Sequence, residues 1–213
     1  MSGRETKQSG HADRGARPRA ALVALLAVVG LALLAGCSSG TADDGGFRFV
    51  APGGQTQISY PEAQRRPLAP ITGDSLLAEG QSISSAQDKG QVVVVNIWGS
   101  WCGPCRGESP ALEQVAAASA PRGVAFLGVD VRDDRQAAAD FVRSRGVTYP
   151  SIFDPPGRSL LVLSGYPRNA VPSTIVLDRA HRVAAVFLTA VLASDLQPVV
   201  DRVAAEPAPP PSG

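Results

Sequence analysis

The 213-residue chain predicts a small α/β sandwich, and three observations carry that prediction. Residues 92–98 are apolar and β-branched on both faces, as a buried parallel strand is, and 124–129 read as another buried strand. A helical pattern follows each of them. Two further strand patterns, 173–177 and 182–187, surround a turn at Asp178-Arg179-Ala180-His181, and a last helical stretch follows.

The elements follow in order. Residues 68–84 read as a short hairpin around Ala78-Glu79-Gly80-Gln81. Residues 104–118 read as a helix, in which Pro110 predicts a kink. Residues 133–145 are amphipathic with Ala137, Phe141 and Val142 inward, and Gly146 ends the helix. Residues 157–163 suggest a short helix. Residues 194–204 form the final one, with Ser194 as its N-cap and Pro198 disturbing its first turns. The core domain is therefore 68–205, a comfortable size for one hydrophobic core. The Gly-, Ser-, Gln- and Pro-rich stretch 37–67 reads as a flexible tether with a short strand at 47–50, and 206–213 as a disordered Pro-rich tail.

The chemistry lies in Trp101-Cys102-Gly103-Pro104-Cys105. The motif stands where the first core strand hands over to a helix N-terminus. Backbone N–H groups and the helix dipole there favour a thiolate, the attacking species in disulfide exchange. A Cys-x-x-Cys at this point of such a sandwich indicates a thioredoxin fold, a central mixed sheet flanked by helices with the hairpin as an N-terminal extension. Cys102 is expected as the exposed nucleophile and Cys105 as the deeper, resolving thiol. Trp101 would shield the pair and offer an apolar contact surface, and Arg106 reads as a solvated charge.

The N-terminus concerns location. Residues 1–19 are basic and 20–35 are apolar, a run shorter than a spanning helix needs. Leu34-Ala35-Gly36-Cys37 follows and resembles a bacterial lipobox. That resemblance implies that 1–36 is a signal peptide, that Cys37 becomes a lipidated N-terminus, and that the rest lies outside the cytoplasm on the membrane. Cysteine usage agrees. Of three cysteines, a lipidated Cys37 leaves one close pair, which suits exchange better than stapling.

Several classes are excluded. Beyond residue 36 the chain holds 15 basic and 17 acidic residues with no basic stripe, which speaks against nucleic acid as a partner. Cys105 is followed by Arg106, so the motif is not a c-type haem site. There is no second Cys-x-x-Cys or paired histidine for zinc, and dithiol exchange itself calls for no metal and no cofactor.

The run from Val95 through Asn96, Trp98 and the motif to Glu108 and Pro110 resembles the membrane-anchored thiol–disulfide reductases of the ResA, TlpA and CcmG (DsbE) group. The resemblance extends through Gly146-Val147-Thr148-Tyr149-Pro150, Asp154-Pro155-Pro156-Gly157 and Val171-Pro172-Ser173-Thr174. It implies that Asn96 replaces the buried aspartate of cytoplasmic thioredoxin, and that Glu108, three residues after Cys105, manages its proton. It also implies that Pro172 is cis and lies against the disulfide, and that the backbone at Val171 pairs with an extended substrate segment. The site more often reads Pro-Thr-Thr in that group, so Ser173 is a departure. The expected role is reduction of exported disulfide proteins, apocytochrome c among them, with electrons from a membrane thiol transporter of the CcdA/DsbD type. A thiol oxidase or isomerase, and a redox-switched binding lipoprotein, are the alternatives.

Overall fold

A computed structural model describes residues 45–208, which form one unit. The expected signal segment and Cys37 lie outside these residues. Among the described residues no helix is long and apolar enough to cross a membrane.

Eight strands make one mixed sheet: β1 (Gln57–Ser59), β2 (Thr72–Ser75), β3 (Ser82–Ser84), β4 (Val92–Trp98), β5 (Val124–Asp130), β6 (Ser151–Phe153), β7 (Ser173–Leu177) and β8 (Val183–Phe187). Their order is β1-β8-β7-β4-β5-β6-β2-β3. β4, β5 and β6 are parallel, and β7 returns antiparallel along β4. This is the expected thioredoxin fold, with the β2–β3 hairpin added beyond β6.

Three helices follow: α1 (Gly103–Ser119), α2 (Arg135–Arg145) and α3 (Ala193–Ala204). α1 and α3 bury Leu112, Val115, Leu196 and Val200 against Val92, Val94 and Phe126 of the sheet. α2 sets Ala138 and Val142 in a cluster with Trp98 on the same face. Parallel strands taken in succession with right-handed crossovers place the connecting helices on one side, as here. α1 continues through Pro110. The missing N–H there frees the Arg106 carbonyl, and both residues are exposed, so water can serve it.

The sequence reading needs correction at several points. α2 begins one residue past Asp134, whose side chain caps it by accepting from Gln136 N at 2.9 Å and Ala137 N at 3.1 Å. Ala137 is consequently exposed, and Ala138 and Ala139 turn inward instead. α3 starts from Leu192 rather than Ser194, with Leu196 N donating to Leu192 O. The short helix is a single 3-10 turn at Ser159–Val162.

The largest correction concerns the tether. From residue 45 onward the segment is packed, not free. Phe47, Phe49 and Ile58 are buried in the core on the face away from the helices. β1 extends the sheet by pairing with β8, and Phe49 N donates to Ser164 O at 2.8 Å. Arg48 makes only an isolated bridge to Ser164, so no strand forms at 47–50. Arg65 is 6% exposed and bonds Asp178 at 3.2 Å and Glu206 at 2.5 Å. Glu206, expected in the disordered tail, is thereby fixed to the domain.

Candidate active site

β4 delivers Asn96 and Trp98 to the helix-covered face, and its C-terminal end leads into Gly99-Ser100-Trp101. Cys102 is the N-cap of α1. Its Sγ accepts from Cys105 N at 3.2 Å. Gly103 and Pro104 occupy the first helical positions, where a missing N–H costs nothing. Cys102 and Cys105 are joined as a disulfide, with Cα atoms 5.3 Å apart.

Both cysteines are 3% exposed, so Cys102 is not the open nucleophile expected from the sequence. Ring closure turns its sulfur onto Cys105, and both lie in one apolar cluster with Leu76 and Trp98, against which Val171 packs. Cys102 shares its cluster with residues from distant parts of the chain, which the motif alone does not disclose.

The motif loop is fixed from outside. Asp133 accepts from Ser100 N and, at 2.8 Å, from Ser100 Oγ. Arg106 Nε donates to Ser100 O at 2.9 Å, so this guanidinium is tied to the loop rather than merely solvated. Trp101 folds over Gly99, where a Cβ would come within 2.4 Å of the indole nitrogen. Trp101 Nε1 donates to Val131 O at 3.1 Å, and 46% of the residue stays exposed. Sequence reasoning missed Asp133. Its signal is the Asp133-Asp134 pair, which looks like a helix start and nothing more.

Glu108 lies one turn beyond Cys105 on the buried face of α1 and is 2% exposed. Its Oε1 accepts from Asn96 Nδ2 at 2.9 Å and its Oε2 from Val191 N at 3.0 Å. Asn96 also reaches Thr174 Oγ1 at 3.3 Å on β7. Burial pushes the Glu108 carboxyl up to about 7, partly offset by the bonds from Val191 and Asn96. The structure thus joins Asn96 and Glu108, the two residues singled out together in the sequence. Val191 entered unannounced, because a backbone donor 83 residues away leaves no sequence trace. A cavity of about 10 Å³, room for about one water, is lined by Asn96, Cys105, Ser109 and Tyr149 among others.

Val171-Pro172 is cis, as expected. Ser173 donates its hydroxyl to Ala170 O at 2.8 Å and accepts from Tyr166 O–H, which fixes the approach to β7.

A second buried carboxyl, Asp130, ends β5 beside Trp98 in the register. It is fully buried, and neither oxygen has a hydrogen-bond partner among the described residues. Burial, then the Asp133 carboxylate, push it up to about 9, with Arg135 opposing. The native state therefore keeps a proton that the unfolded chain has released above its ordinary value of 3.8, and stability falls as pH rises between the two. Asp130→Asn should raise Tm by several degrees at pH 8 and leave it nearly unchanged at pH 3. Equal shifts at both pH values in thermal unfolding would show that the proton is not involved.

Among the described residues no group of three or more His, Cys, Asp or Glu side chains is placed to hold a metal.

The fold and sequence have counterparts in known proteins. A DsbF homologue from Corynebacterium diphtheriae is 46% identical, superposes with a TM-score of 0.71, and is matched over 74% of this chain and 99% of its own. A secreted thiol-disulfide isomerase from Corynebacterium glutamicum is 45% identical with a TM-score of 0.70, over 73% and 98%. The thiol-disulfide oxidoreductase ResA of Bacillus subtilis is 30% identical over 104 residues, 49% of this chain and 56% of that protein's length. Residues 61–200, which hold the motif, Glu108 and Pro172, match the Redoxin family, and the chain belongs to it.

Proposed function

We propose that this thiol–disulfide oxidoreductase works outside the cytoplasm, held to the membrane by a lipid on Cys37, and reduces disulfides in exported proteins. Apocytochrome c is one such substrate class, and a membrane thiol transporter of the CcdA/DsbD type would return the electrons. The similarity to an isomerase described as secreted supports an extracytoplasmic setting. The observation that carries the reductase reading is the buried Glu108, one helical turn past Cys105 and held by Asn96.

In this reading the Cys102 thiolate attacks one sulfur of a partner disulfide, and the other leaves as a thiol. Cys105 loses its proton and attacks Cys102 in the mixed disulfide. The partner departs reduced, and the Cys102–Cys105 bond remains. The proton of Cys105 needs an acceptor inside an apolar cluster. Glu108, neutral below about pH 7 and ionised above it, exchanges a proton within the working range. Asn96 orients that carboxyl and cannot itself titrate. Val171, next to the cis bond, offers backbone to an extended partner segment.

Two measurements test this. A reduction potential near that of thioredoxin, about −270 mV, supports a reductase, and one near about −120 mV sinks it. Glu108→Gln should flatten the inflection near pH 7 in the rate of Cys105-dependent resolution. An unchanged pH profile removes Glu108 from the proton path. The second reading, an isomerase or oxidase, is favoured by the 45% identical relative described as a secreted isomerase. Repair of a scrambled disulfide protein by the isolated chain would select it.

A further inference from the structure

A cleft of about 330 Å³ opens beside the redox motif. It is lined by Val131, Arg132, Pro155, Pro156, Arg168 and Asn169. Two of its lining residues are tied to the two parts of the exchange site. Val131 O holds the Trp101 indole, whose residue immediately precedes Cys102. Asn169 is two residues before Val171 on the approach to the cis bond.

The cleft is cationic and uncompensated. The Arg132 guanidinium lies over the Trp101 ring, 4.6 Å from its centroid. Among the described residues neither Arg132 nor Arg168 takes part in an ion pair. No acidic side chain lines the cleft. The nearest carboxylates along the chain are committed elsewhere: Asp133 to Ser100, and Asp154 to Arg158 N and Ser159 N. Two planar guanidinium groups on a proline-walled cleft suit a carboxylate, which such groups bind in bidentate fashion.

We infer that the Arg132–Arg168 cleft is a specificity subsite for an aspartate or glutamate that flanks the disulfide of the polypeptide partner. The inference rests on the exchange reading above. A partner segment paired along Val171, with its sulfur at Cys102, carries neighbouring side chains across the cleft mouth. An acidic one there would replace water around Arg132, held over the Trp101 ring, and the exposed Arg168, so recognition would favour the productive orientation.

The test uses the full chain and two disulfide peptides that differ only in flanking residues, Glu in one and Gln in the other. The reduced protein should favour the Glu peptide about fivefold in kcat/KM at low ionic strength, carried by KM, and the preference should shrink with added salt. The Glu-to-Gln ratio cancels any general loss of activity. Arg132→Glu with Arg168→Glu should invert it, and Arg132→Gln with Arg168→Gln should bring it to one. Equal rates for the two peptides, or a preference that survives charge reversal, would overturn the subsite. Calorimetric binding of the same peptides to the Cys102→Ser, Cys105→Ser chain decides the matter independently of exchange. Tighter binding of the Glu peptide supports the subsite, and equal binding overturns it. If the wild type leaves a small uncharged disulfide unreduced, the exchange reading fails, and the calorimetry still judges the cleft.

Discussion

Cys105→Ser should convert the protein into a trap. Cys102 can still attack a partner disulfide, but no second thiol remains across the first turn of α1, where the two Cα atoms lie 5.3 Å apart, to resolve the product. Turnover should vanish while a covalent adduct accumulates, visible as a higher band on a non-reducing gel and dispersed by dithiothreitol. Cys102→Ser should lose both turnover and adduct, because the α1 N-terminus then has no sulfur to activate. Adducts of equal yield from the two variants would contradict the order of attack assigned to the pair. Adducts from neither would favour a binding protein whose cysteines switch an interface.

Asp178→Ala should cost about 3–5 kcal/mol, the range for breaking a buried charge network by removing one partner. Asp178 is 3% exposed and takes four bonds: Arg65 Nη1 at 3.2 Å, Arg182 Nε at 2.8 Å, Ala180 N at 3.0 Å and Arg182 N at 2.9 Å. Alanine would leave two backbone donors and the nearly buried Arg65 short of a partner in one turn. For a domain of this size the loss corresponds to a fall in Tm of roughly 10 °C. Asp178→Asn should fall between, since an amide oxygen still serves the two backbone N–H groups. A loss below about 1 kcal/mol in urea unfolding would show that the network contributes little.

The sequence disclosed what depends on short spacing. Cys102 and Cys105 are three apart, and Glu108 is three beyond, so one helix fixes all three. The apolar runs of β4 and β5 revealed the sheet centre because both of their faces are buried. The clamp around Arg65 stayed hidden, because its partners come from 113 and 141 positions away. Composition also misled over 45–67. Three buried anchors, Phe47, Phe49 and Ile58, suffice to fix to the domain a stretch otherwise mostly exposed and rich in Gly, Gln and Pro. β6 is three residues long, too short to display a period. The burial of Cys102 was illegible for the same reason as Val191. Both are set by contacts between segments distant in the chain.

The chain has two tryptophans, and the fold puts both beside the redox pair. Trp98 shares a cluster with the two sulfurs, and Trp101 stands next to Cys102 with nearly half its surface in water. Disulfides quench indole emission on contact. Fluorescence from this protein should therefore report thiol status, brightening on reduction without any label. The same property makes it a poor gauge of unfolding at the opposite end of the sheet, around Asp178.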